Sequence, residues 1–307
     1  MSRPGELDEL IAWADVVMVE FPWQFEHCRR RASGTPLVLS THNVEVEKFA
    51  SWASAAGTRL SQPWLNYVER SETAAVREAD LVVTVKDGDR EVFVRRYGAD
   101  PGRVAVVPNG ADTRRYRPAD AARRRQAKGQ LGLGEAPVAI YVGTRQAANR
   151  VGLGWVRRLA RRRRDIEFVV IGQVGGEPGR EGNLTTTGQV DDLRPWLEAA
   201  DLALCPIEHG GGTKIKLLEA LAAGLPVVAF PPSVDGLQVR NGEQLLICEP
   251  SEEELVSAVG RLTEDPAFAA RLGEGGRSFM TASHDWELLG GTLDAALSGL
   301  VEGEMQV

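Results

Sequence analysis

The residues best suited to chemistry lie in one segment, residues 201–230, which reads D-L-A-L-C-P-I-E-H-G-G-G-T-K-I-K-L-L-E-A-L-A-A-G-L-P-V-V-A-F. This order predicts a strand, a glycine loop, a helix and a second strand. Gly224 and Pro226 favour the end of the helix, which is predicted to run from about Thr213 to Ala223. Glycines before a helix N-terminus let a ligand reach the free amides, and the helix dipole favours negative charge there. The segment therefore predicts an anion-binding site.

The charges around this loop are consistent with such a ligand. Lys214 and Lys216 lie in the predicted first turn, where carboxylates are usually preferred, and they are the only lysines after Lys128. A bound anion would resolve the conflict with the dipole; the alternative is a solvated helix end. Glu219 follows Lys216 by three residues, and its carboxylate is able to accept hydrogen bonds from a sugar diol. The alternative for Glu219 is an ordinary Lys–Glu pair on a helix surface.

Short β-branched runs alternate with amphipathic segments of helix length, which predicts βαβ units with parallel sheets. Strands are predicted at residues 15–20, 36–40, 80–85, 104–108, 137–142, 166–171, 201–205, 226–230 and 245–248, with 184–187 a weaker candidate. Helices are predicted at 64–79, 87–97, 152–163, 191–199 and 213–223, with a helical tail from 251 onward. A polar, arginine-rich segment at 112–134 separates the two series. The simplest architecture is two doubly wound α/β halves joined near residues 109–118, with ligands bound at the carboxyl ends of the strands in a cleft between them.

Composition excludes several classes of protein. A chain of 307 residues predicts two domains, and 43% hydrophobic with 26% charged residues is ordinary for a globular protein. The net charge of −7 offers no overall basic footprint, so no nucleic-acid partner is predicted. The three cysteines form no C-x-x-C motif and no histidine pair has metal-ligand spacing, so neither a disulfide scaffold nor a metal site is predicted.

Localisation follows from what the sequence lacks. The acidic start has no apolar core, and the longest apolar stretch, 217–230, is too short and too interrupted to span a bilayer. A cytoplasmic protein is therefore expected. Arginine clusters at 29–31, 123–125 and 157–164 suit peripheral contact with an anionic membrane at its inner face; the alternative is a set of solvated faces in an arginine-biased chain.

Six stretches, in order, resemble the family 4 glycosyltransferases. G-G-T-K-I-K-L-L-E-A-L-A-A-G-L-P-V-V at 211–228 resembles the family's donor-binding segment and is similar to bacterial exopolysaccharide-type sugar transferases. The other stretches are T-H-N-V-E at 41–45, V-P-N-G-A-D at 107–112, Y-V-G-T at 141–144, T-T-T-G-Q-V-D-D-L at 185–193 and A-D-L-A-L-C-P at 200–206. The resemblance implies a GT-B fold, with two Rossmann-like domains facing across a cleft. It also implies transfer of a sugar from a nucleotide-diphosphate sugar with retention of configuration and without a bound metal or other cofactor.

The resemblance also implies roles for particular residues. Glu219 would hold the ribose hydroxyls, Lys216 would neutralise the diphosphate and His42 would contact the donor, so these three are predicted as catalytic. The remaining predicted donor-binding residues are Gly143, Thr144, Arg145, Val190, Leu193, Glu208, His209, Gly211, Gly212, Thr213 and Lys214. Val190 and Leu193 would lie beside the base. Asn43, Asn109 and Gly110 are predicted for the acceptor side or the cleft.

The chain departs from the family pattern in its charged clamp and its paired glutamates. Gly211 stands where the first Glu of E-x7-E is expected, with Glu208 as a candidate substitute. Thr144 and Asn149 stand where the G-R-x4-K clamp has Arg and Lys. Arg145 and Arg150 keep the clamp spacing one position later, and they either replace the clamp or are surface residues.

The amino-terminal domain is short for this family. The expected domains are 1–115, an incomplete acceptor-side domain; 116–285, the nucleotide-sugar-binding domain; and 286–307, a helix crossing back to the first. The leading hypothesis is a glycosyltransferase with a polysaccharide, lipid-linked or small-molecule hydroxyl acceptor, and the alternative is a nucleotide-sugar-binding protein without turnover. A Rossmann oxidoreductase is disfavoured because no G-x-G-x-x-G follows an early strand. The sequence leaves the donor sugar and the oligomeric state open.

Overall fold

The structure, a computed structural model, describes residues 5–55, 57–210 and 212–302. The chain divides into two compact units. The first unit consists of two segments, one that ends at Asn109 and one that begins at Glu287. The second unit is Gly110–Trp286. Each unit has its own mainly parallel sheet, which confirms the predicted α/β fold class.

The first unit is built on four parallel strands in the order β1-β2-β3-β4. They are β1 Val17–Val19, β2 Leu37–Ser40, β3 Leu81–Thr84 and β4 Val104–Val106. The helices between them are α1 Glu6–Trp13, α2 Pro22–Arg29, α3 Glu45–Ala55, α4 Gln62–Glu78 and α5 Asp87–Arg95. Strands β2 and β3 read as continuous apolar runs because a parallel sheet is covered on both faces, so neither side of a central strand meets water.

A buried carboxylate joins three elements of this unit. Glu72 of α4 is 0% exposed and accepts hydrogen bonds from the backbone N–H of Glu45 at 2.7 Å and from the hydroxyl of Tyr97 at 2.8 Å. The amide of Glu45 belongs to the first turn of α3, where helical N–H groups have no partner within the helix. Glu72 therefore anchors the start of α3, directly after the loop that carries His42. Burial raises the pKa of Glu72 to about 7, although both hydrogen bonds favour the charged form.

The second unit has a seven-stranded sheet in the order β11-β10-β9-β5-β6-β8-β7. Its strands are β5 Val138–Val142, β6 Glu167–Ile171, β7 Gly179–Glu181, β8 Leu184–Thr186, β9 Leu202–Cys205, β10 Val227–Ala229 and β11 Leu246–Ile247. Its helices are α6 Ala121–Gln130, α7 Ala147–Arg162, α8 Arg194–Ala199, α9 Ile215–Ala222, α10 Glu252–Glu264 and α11 Pro266–Ser283. Only β7 runs antiparallel, against β8. The strand order reverses at β5, and ligands of such sheets bind at the carboxyl ends of the strands beside this switch point.

A last helix, α12 Trp286–Glu302, packs against the sheet of the first unit. Leu293, Leu297 and Leu300 lie against a small core of Val38, Leu81 and Val83. This helix covers a sheet face that would otherwise meet water. Among the described helices, none combines the length and the apolar run needed to cross a bilayer.

The strand predictions are confirmed, including the weaker candidate at 184–187, and the observed strands are one to three residues shorter. The sequence does not predict strand β7, because Gly-Arg-Glu has no apolar residue and is exposed throughout. Helix α6 lies inside the polar, arginine-rich segment at 112–134, for which the sequence predicts no helix. It buries only Ala127 and Lys128, so no apolar stripe marks it, and its local signal is the N-cap Asp120.

Three helix starts in the second unit also differ from the predictions. Helix α8 begins at Arg194, three residues after the predicted start at 191. Helix α7 begins at Ala147, five residues before the predicted start at 152. Helix α9 begins at Ile215 and not at Thr213, because Lys214 has an extended backbone (φ −88°, ψ 92°) and is the N-cap residue. Only Lys216 of the two lysines therefore lies within the first turn.

The raised pKa of Glu72 predicts a pH dependence of stability. The folded protein keeps a proton that the unfolded chain releases between its ordinary pKa of 4.5 and about 7, so this contribution is full below pH 4.5 and is lost as the pH rises through 7. We expect the free energy of unfolding of the wild type to fall by on the order of 3 kcal/mol relative to Glu72→Gln over that range. Urea denaturation at pH 4.5 and pH 8 measures this difference. Glu69→Gln, on the same helix, is the control and should follow the wild type; parallel profiles for wild type and Glu72→Gln would contradict the prediction.

Candidate functional site

A pocket of about 550 Å³ opens at the carboxyl ends of β5 and β6, within the second unit. Its lining comes from the ends of these strands, the starts of α7 and α9, and the loop before α8. The lining residues are Val142, Gly143, Thr144, Gln146, Asn149, Ile171, Gly172, Gln173, Gln189, Val190, Leu193, Thr213, Lys214, Ile215 and Lys216. The pocket thus brings together seven of the predicted donor-binding residues, Gly143, Thr144, Val190, Leu193, Thr213, Lys214 and Lys216.

A close backbone approach shapes the floor of this pocket. Gly172, just after β6, has φ 97°, and a Cβ at this position would lie 2.4 Å from the carbonyl oxygen of Gly143, just after β5. The same carbonyl accepts a hydrogen bond from the backbone N–H of Val174 at 3.1 Å. The conformation and the contact both require glycine, since a side chain at this φ is strained and has no room. The loops after β5 and β6 can approach each other this closely only because residue 172 has no side chain.

The Lys216 ammonium is held at the edge of the pocket by uncharged groups. Its Nζ donates a hydrogen bond to Oδ1 of Asn149 at 2.6 Å and lies 4.6 Å from the ring centroid of Tyr141. Asn149 in turn donates from Nδ2 to Oγ1 of Thr144 at 3.0 Å. Burial lowers the pKa of Lys216, and no carboxylate in the described ranges forms an ion pair with it. A half-buried cation without an anionic partner attracts an anionic ligand.

The two positions expected to carry the clamp, Thr144 and Asn149, therefore support the charge of Lys216 instead of supplying their own. Arg145 and Arg150 are both exposed, and neither lines the pocket. The Arg150 guanidinium donates to the backbone carbonyl of Arg145 at 2.7 Å. Of the two interpretations left open by the sequence, the structure favours that of surface residues.

Lys214 braces the glycine loop. Its Nζ donates to the carbonyl oxygens of Gly210 at 2.8 Å and Gly212 at 2.6 Å. Gly210 and Gly212 both have positive φ, 115° and 75°. The predicted donor-binding residue Gly211 lies outside the described residues. Lys214 thus stabilises the tight loop that leads into α9, and its Nζ is directed at loop carbonyls.

Glu219 lies one turn deeper in α9 and does not line the pocket. Its Oε1 accepts a hydrogen bond from the hydroxyl of Tyr116 at 2.9 Å. Burial raises the pKa of Glu219, while the Tyr116 hydroxyl and the charge of Arg115 lower it. Burial and the neighbouring carboxylate raise the pKa of Tyr116 to about 12. The sequence assigns no site role to the Tyr116 hydroxyl or the Tyr141 ring, because their roles depend on contacts with residues far along the chain.

Glu208 and His209 lie after β9 and also do not line the pocket. A Glu208 carboxylate oxygen accepts a hydrogen bond from the indole N–H of Trp155, and the Arg158 guanidinium lies over the same indole, 3.9 Å from its ring centroid. The His209 Nε2 atom lies 3.7 Å from the other carboxylate oxygen. Glu208, the candidate substitute for the missing Glu, is therefore already engaged with α7.

The first unit carries the predicted histidine. Nε2 of His42 lies 2.8 Å from Oε2 of Glu20, which follows β1, and the ring of Phe21 is 5.9 Å from the imidazole. Asn43 follows His42 in the chain and is half-buried. Asn109 is the last residue before the second unit, and Gly110 is the first residue of that unit. Across the described ranges, no group of three or more His, Cys, Asp or Glu side chains is arranged to hold a metal ion.

Both units match family models of glycosyltransferases. Residues 136–265 match the family model for glycosyl transferases group 1, and residues 3–115 match that for glycosyltransferase family 4. The chain belongs to the family 4 glycosyltransferases. The resemblance expected from the six sequence stretches is confirmed.

The curated proteins that this chain resembles carry several names. It is 30% identical over 304 residues to the D-inositol 3-phosphate glycosyltransferase of Acidothermus cellulolyticus, an alignment that covers 90% of this chain and 63% of that protein. It is 29% identical over 265 residues to D-inositol 3-phosphate glycosyltransferase 2 of Catenulispora acidiphila, covering 78% of this chain and 60% of the relative. It is 26% identical to the glycogen synthase of Mycobacterium tuberculosis, covering 88% and 65% of the two chains. The chain therefore spans less than two thirds of the length of these relatives.

Solved structures establish the fold of this chain. The sucrose-phosphate synthase of Thermosynechococcus elongatus matches with a TM-score of 0.78 at 21% identity, over 97% of this chain and 77% of that one. Anabaena HepE, solved in complex with UDP and glucose, matches with a TM-score of 0.78 at 17% identity, over 96% and 80% of the two chains. The predicted GT-B fold is confirmed.

The glycine at the pocket floor can be tested by a matched pair of substitutions. Gly172→Ala adds a Cβ against a backbone oxygen at a strained φ, whereas Gly176→Ala, at φ 77°, adds one with nothing within 4 Å. We expect Gly172→Ala to lower the free energy of unfolding by about 2 kcal/mol more than Gly176→Ala does, the scale of overpacking in a tight site. Chemical denaturation of both variants measures the difference. Equal losses would show that the approach of the two loops is not what requires glycine.

Proposed function

We propose that the chain transfers a sugar from a nucleotide-diphosphate sugar to a hydroxyl acceptor, with retention of anomeric configuration and without a resident metal or other cofactor. The observation that carries the proposal is the Lys216 ammonium, which is half-buried at the edge of the pocket and has, among the described residues, only an amide oxygen and an aromatic ring as partners. The nucleoside diphosphate is the leaving group, and it develops negative charge as the bond between its oxygen and the anomeric carbon of the sugar breaks. A preorganised cation in a desolvated site stabilises that charge.

The lining of the pocket supports an assignment of parts of the donor to its residues. The diphosphate would lie against Lys216 and the backbone at Thr213, two residues before α9 begins at Ile215, where the helix dipole adds to the attraction. Val190 and Leu193 supply apolar surface for the base. Glu219, one turn further along α9, would take the ribose hydroxyls. HepE, whose structures contain UDP or UDP-glucose, supports uridine nucleotides as the first donors to test.

The acceptor is proposed only as a hydroxyl compound. Relatives named for an inositol phosphate acceptor and for glycogen synthesis are consistent with a polyol or a glycan. His42, oriented by the Glu20 carboxylate, stays the predicted donor-contacting residue of the first unit. Peripheral contact with an anionic membrane through the arginine clusters also stays a prediction.

Binding of a nucleotide sugar without turnover is the second candidate. One observation favours it: the carboxylate of Glu208 is held by Trp155, so the only candidate replacement for the first Glu of E-x7-E is engaged elsewhere. The two candidates share the donor pocket and differ only in whether the glycosidic bond of the donor is broken.

A thermal-shift screen followed by a hydrolysis assay separates these functions. UDP, GDP and ADP are added to the folded chain, and a bound nucleotide should raise the melting temperature. For a nucleotide that binds, slow hydrolysis of the corresponding sugar donor supports the transferase, and binding without hydrolysis or transfer supports the inert binder. No shift with any diphosphate would refute both.

Removing the Lys216 charge should weaken donor binding selectively. Lys216→Ala is expected to reduce the binding free energy of the nucleoside diphosphate found in the screen by about 1.5–3 kcal/mol, the scale of a hydrogen bond to a charged group. Isothermal titration calorimetry measures this change. Lys48→Ala, which removes a lysine of the first unit, is the control and should bind like the wild type. An unchanged affinity in Lys216→Ala would contradict the role assigned to this lysine.

A further inference from the structure

Tyr116 makes a contact that the proposed transfer does not yet use. Its hydroxyl lies 2.9 Å from Oε1 of Glu219, although the two residues are 103 positions apart in the chain. An ionised carboxylate can only accept hydrogen bonds, so the hydroxyl is the donor. In the part of the chain that the structure describes, this is the one hydrogen bond to the Glu219 side chain.

The contact leaves most of the carboxylate available. A carboxylate has two oxygens with about four acceptor positions, and Tyr116 uses one of them on Oε1. Oε2 accepts no hydrogen bond from a described residue. It is also not one of the fully buried atoms that lack a partner, so it is accessible to a ligand. A ribose diol could therefore bind to the remaining positions while Tyr116 keeps its own.

A half-buried arginine fixes Tyr116 relative to the helix that carries Glu219. Arg277 of α11 donates from Nη1 to the carbonyl oxygens of Tyr116 at 2.7 Å and Ala222 at 2.6 Å. Ala222 is the last residue of α9. Nη2 of the same guanidinium donates to the carbonyl of Thr113 at 2.7 Å. One side chain thus ties the 113–116 segment to the end of α9.

A second anchor holds the beginning of that segment. The hydroxyl of Thr113 donates to Oδ2 of Asp285 at 2.6 Å, and its backbone N–H donates to the same oxygen at 3.1 Å. The Tyr116 hydroxyl is therefore presented by a segment fastened at both ends. Such preorganisation reduces the freedom that a binding carboxylate would otherwise lose when its ligand arrives.

We propose that Tyr116 is a positioning residue, whose hydroxyl holds the Glu219 carboxylate in the orientation that accepts the two ribose hydroxyls of the donor nucleotide. This inference rests on the proposed function, in which Glu219 binds the ribose. Tyr116 acts through Glu219 and touches neither the diphosphate nor the sugar that is transferred.

The charges facing Glu219 determine what the loss of the hydroxyl does. Arg115 lies on the same segment as Tyr116 and pairs with Asp192 at 3.6 Å, and Asp192 also binds Arg194 of α8. Arg277 faces the segment from α11, and Lys216, on α9 itself, is bonded to Asn149. Without the Tyr116 hydroxyl, burial is opposed by Arg115 alone, so the pKa of Glu219 rises further. Protonation of Glu219 weakens nucleotide binding. As the pH is lowered, the affinity should therefore begin to fall at a higher pH without the Tyr116 hydroxyl than in the wild type.

The test compares Tyr116→Phe with Tyr97→Phe. Tyr97 makes the same kind of bond, from its hydroxyl to the buried carboxylate of Glu72, but in the first unit. Affinities are measured for UDP, 2′-deoxy-UDP and inorganic pyrophosphate; if the thermal-shift screen selects another base, its diphosphate and deoxy form are used. Tyr116→Phe should bind the nucleotide roughly tenfold more weakly, the scale of a lost hydrogen bond to a charged group, and bind pyrophosphate like the wild type. The loss of affinity on going from UDP to 2′-deoxy-UDP should be smaller in Tyr116→Phe than in the wild type.

A ligand-free measurement complements the affinities. In a carboxyl-labelled NMR titration, the pKa of Glu219 should rise in Tyr116→Phe and stay unchanged in Tyr97→Phe. If the wild type binds no nucleoside diphosphate, the proposed function fails and the ribose role fails with it. If the wild type binds but Tyr116→Phe matches Tyr97→Phe in affinity, loses pyrophosphate binding as well, or keeps the wild-type pKa of Glu219, only the positioning role is overturned.

Discussion

Burial of the central strands on both faces is the constraint on which the second unit depends. Strands β5, β6 and β9 are almost wholly apolar and inaccessible to water, so their middles can carry no polar chemistry. Polar groups emerge only where the strands end and the chain turns into a loop or a helix. The carboxyl ends of parallel strands lie at one edge, and the pocket formed by the loops after β5 and β6 and by the start of α9 lies at that edge. The fold therefore determines where a ligand binds before any single side chain does.

The Lys216 ammonium shows how local structure and function are connected in this site. Burial disfavours its charge, and an amide oxygen and an aromatic face offset that cost only in part. An anion in the pocket would compensate further. The usual clamp of the family carries its charges at two positions that are Thr144 and Asn149 here, and these residues instead hold the lysine of another helix in place. The cation is kept near the strand ends although the residue that supplies it differs.

Two glutamates illustrate how one type of contact serves different purposes. Glu72 and Glu219 each accept a hydrogen bond from a tyrosine hydroxyl, and burial raises the pKa of both carboxyl groups. Glu72 has its second oxygen bonded to a backbone amide and is sealed in the core, so its role is to join α3 and α4. Glu219 is only half-buried and has one hydrogen bond within the described chain, so it keeps acceptor capacity for a ligand. The number of free acceptor positions distinguishes the structural carboxylate from the one proposed to bind ribose.

The sequence by itself determined the features that depend on neighbours in the chain. Apolar runs marked the strands, Gly224 and Pro226 marked the end of α9, and the order of six short stretches indicated the family and its GT-B fold. Helix α6 escaped detection because it buries little apolar surface. Only the tertiary structure decided that Lys216 bonds to Asn149 and Tyr116 to Glu219, that Glu208 is held by Trp155, and that Arg145 lies on the surface. The physical reason is range: periodicity and caps are set by residues a few positions apart, whereas these contacts join residues 53 to 103 positions apart, which only packing of the sheet and its helices brings together.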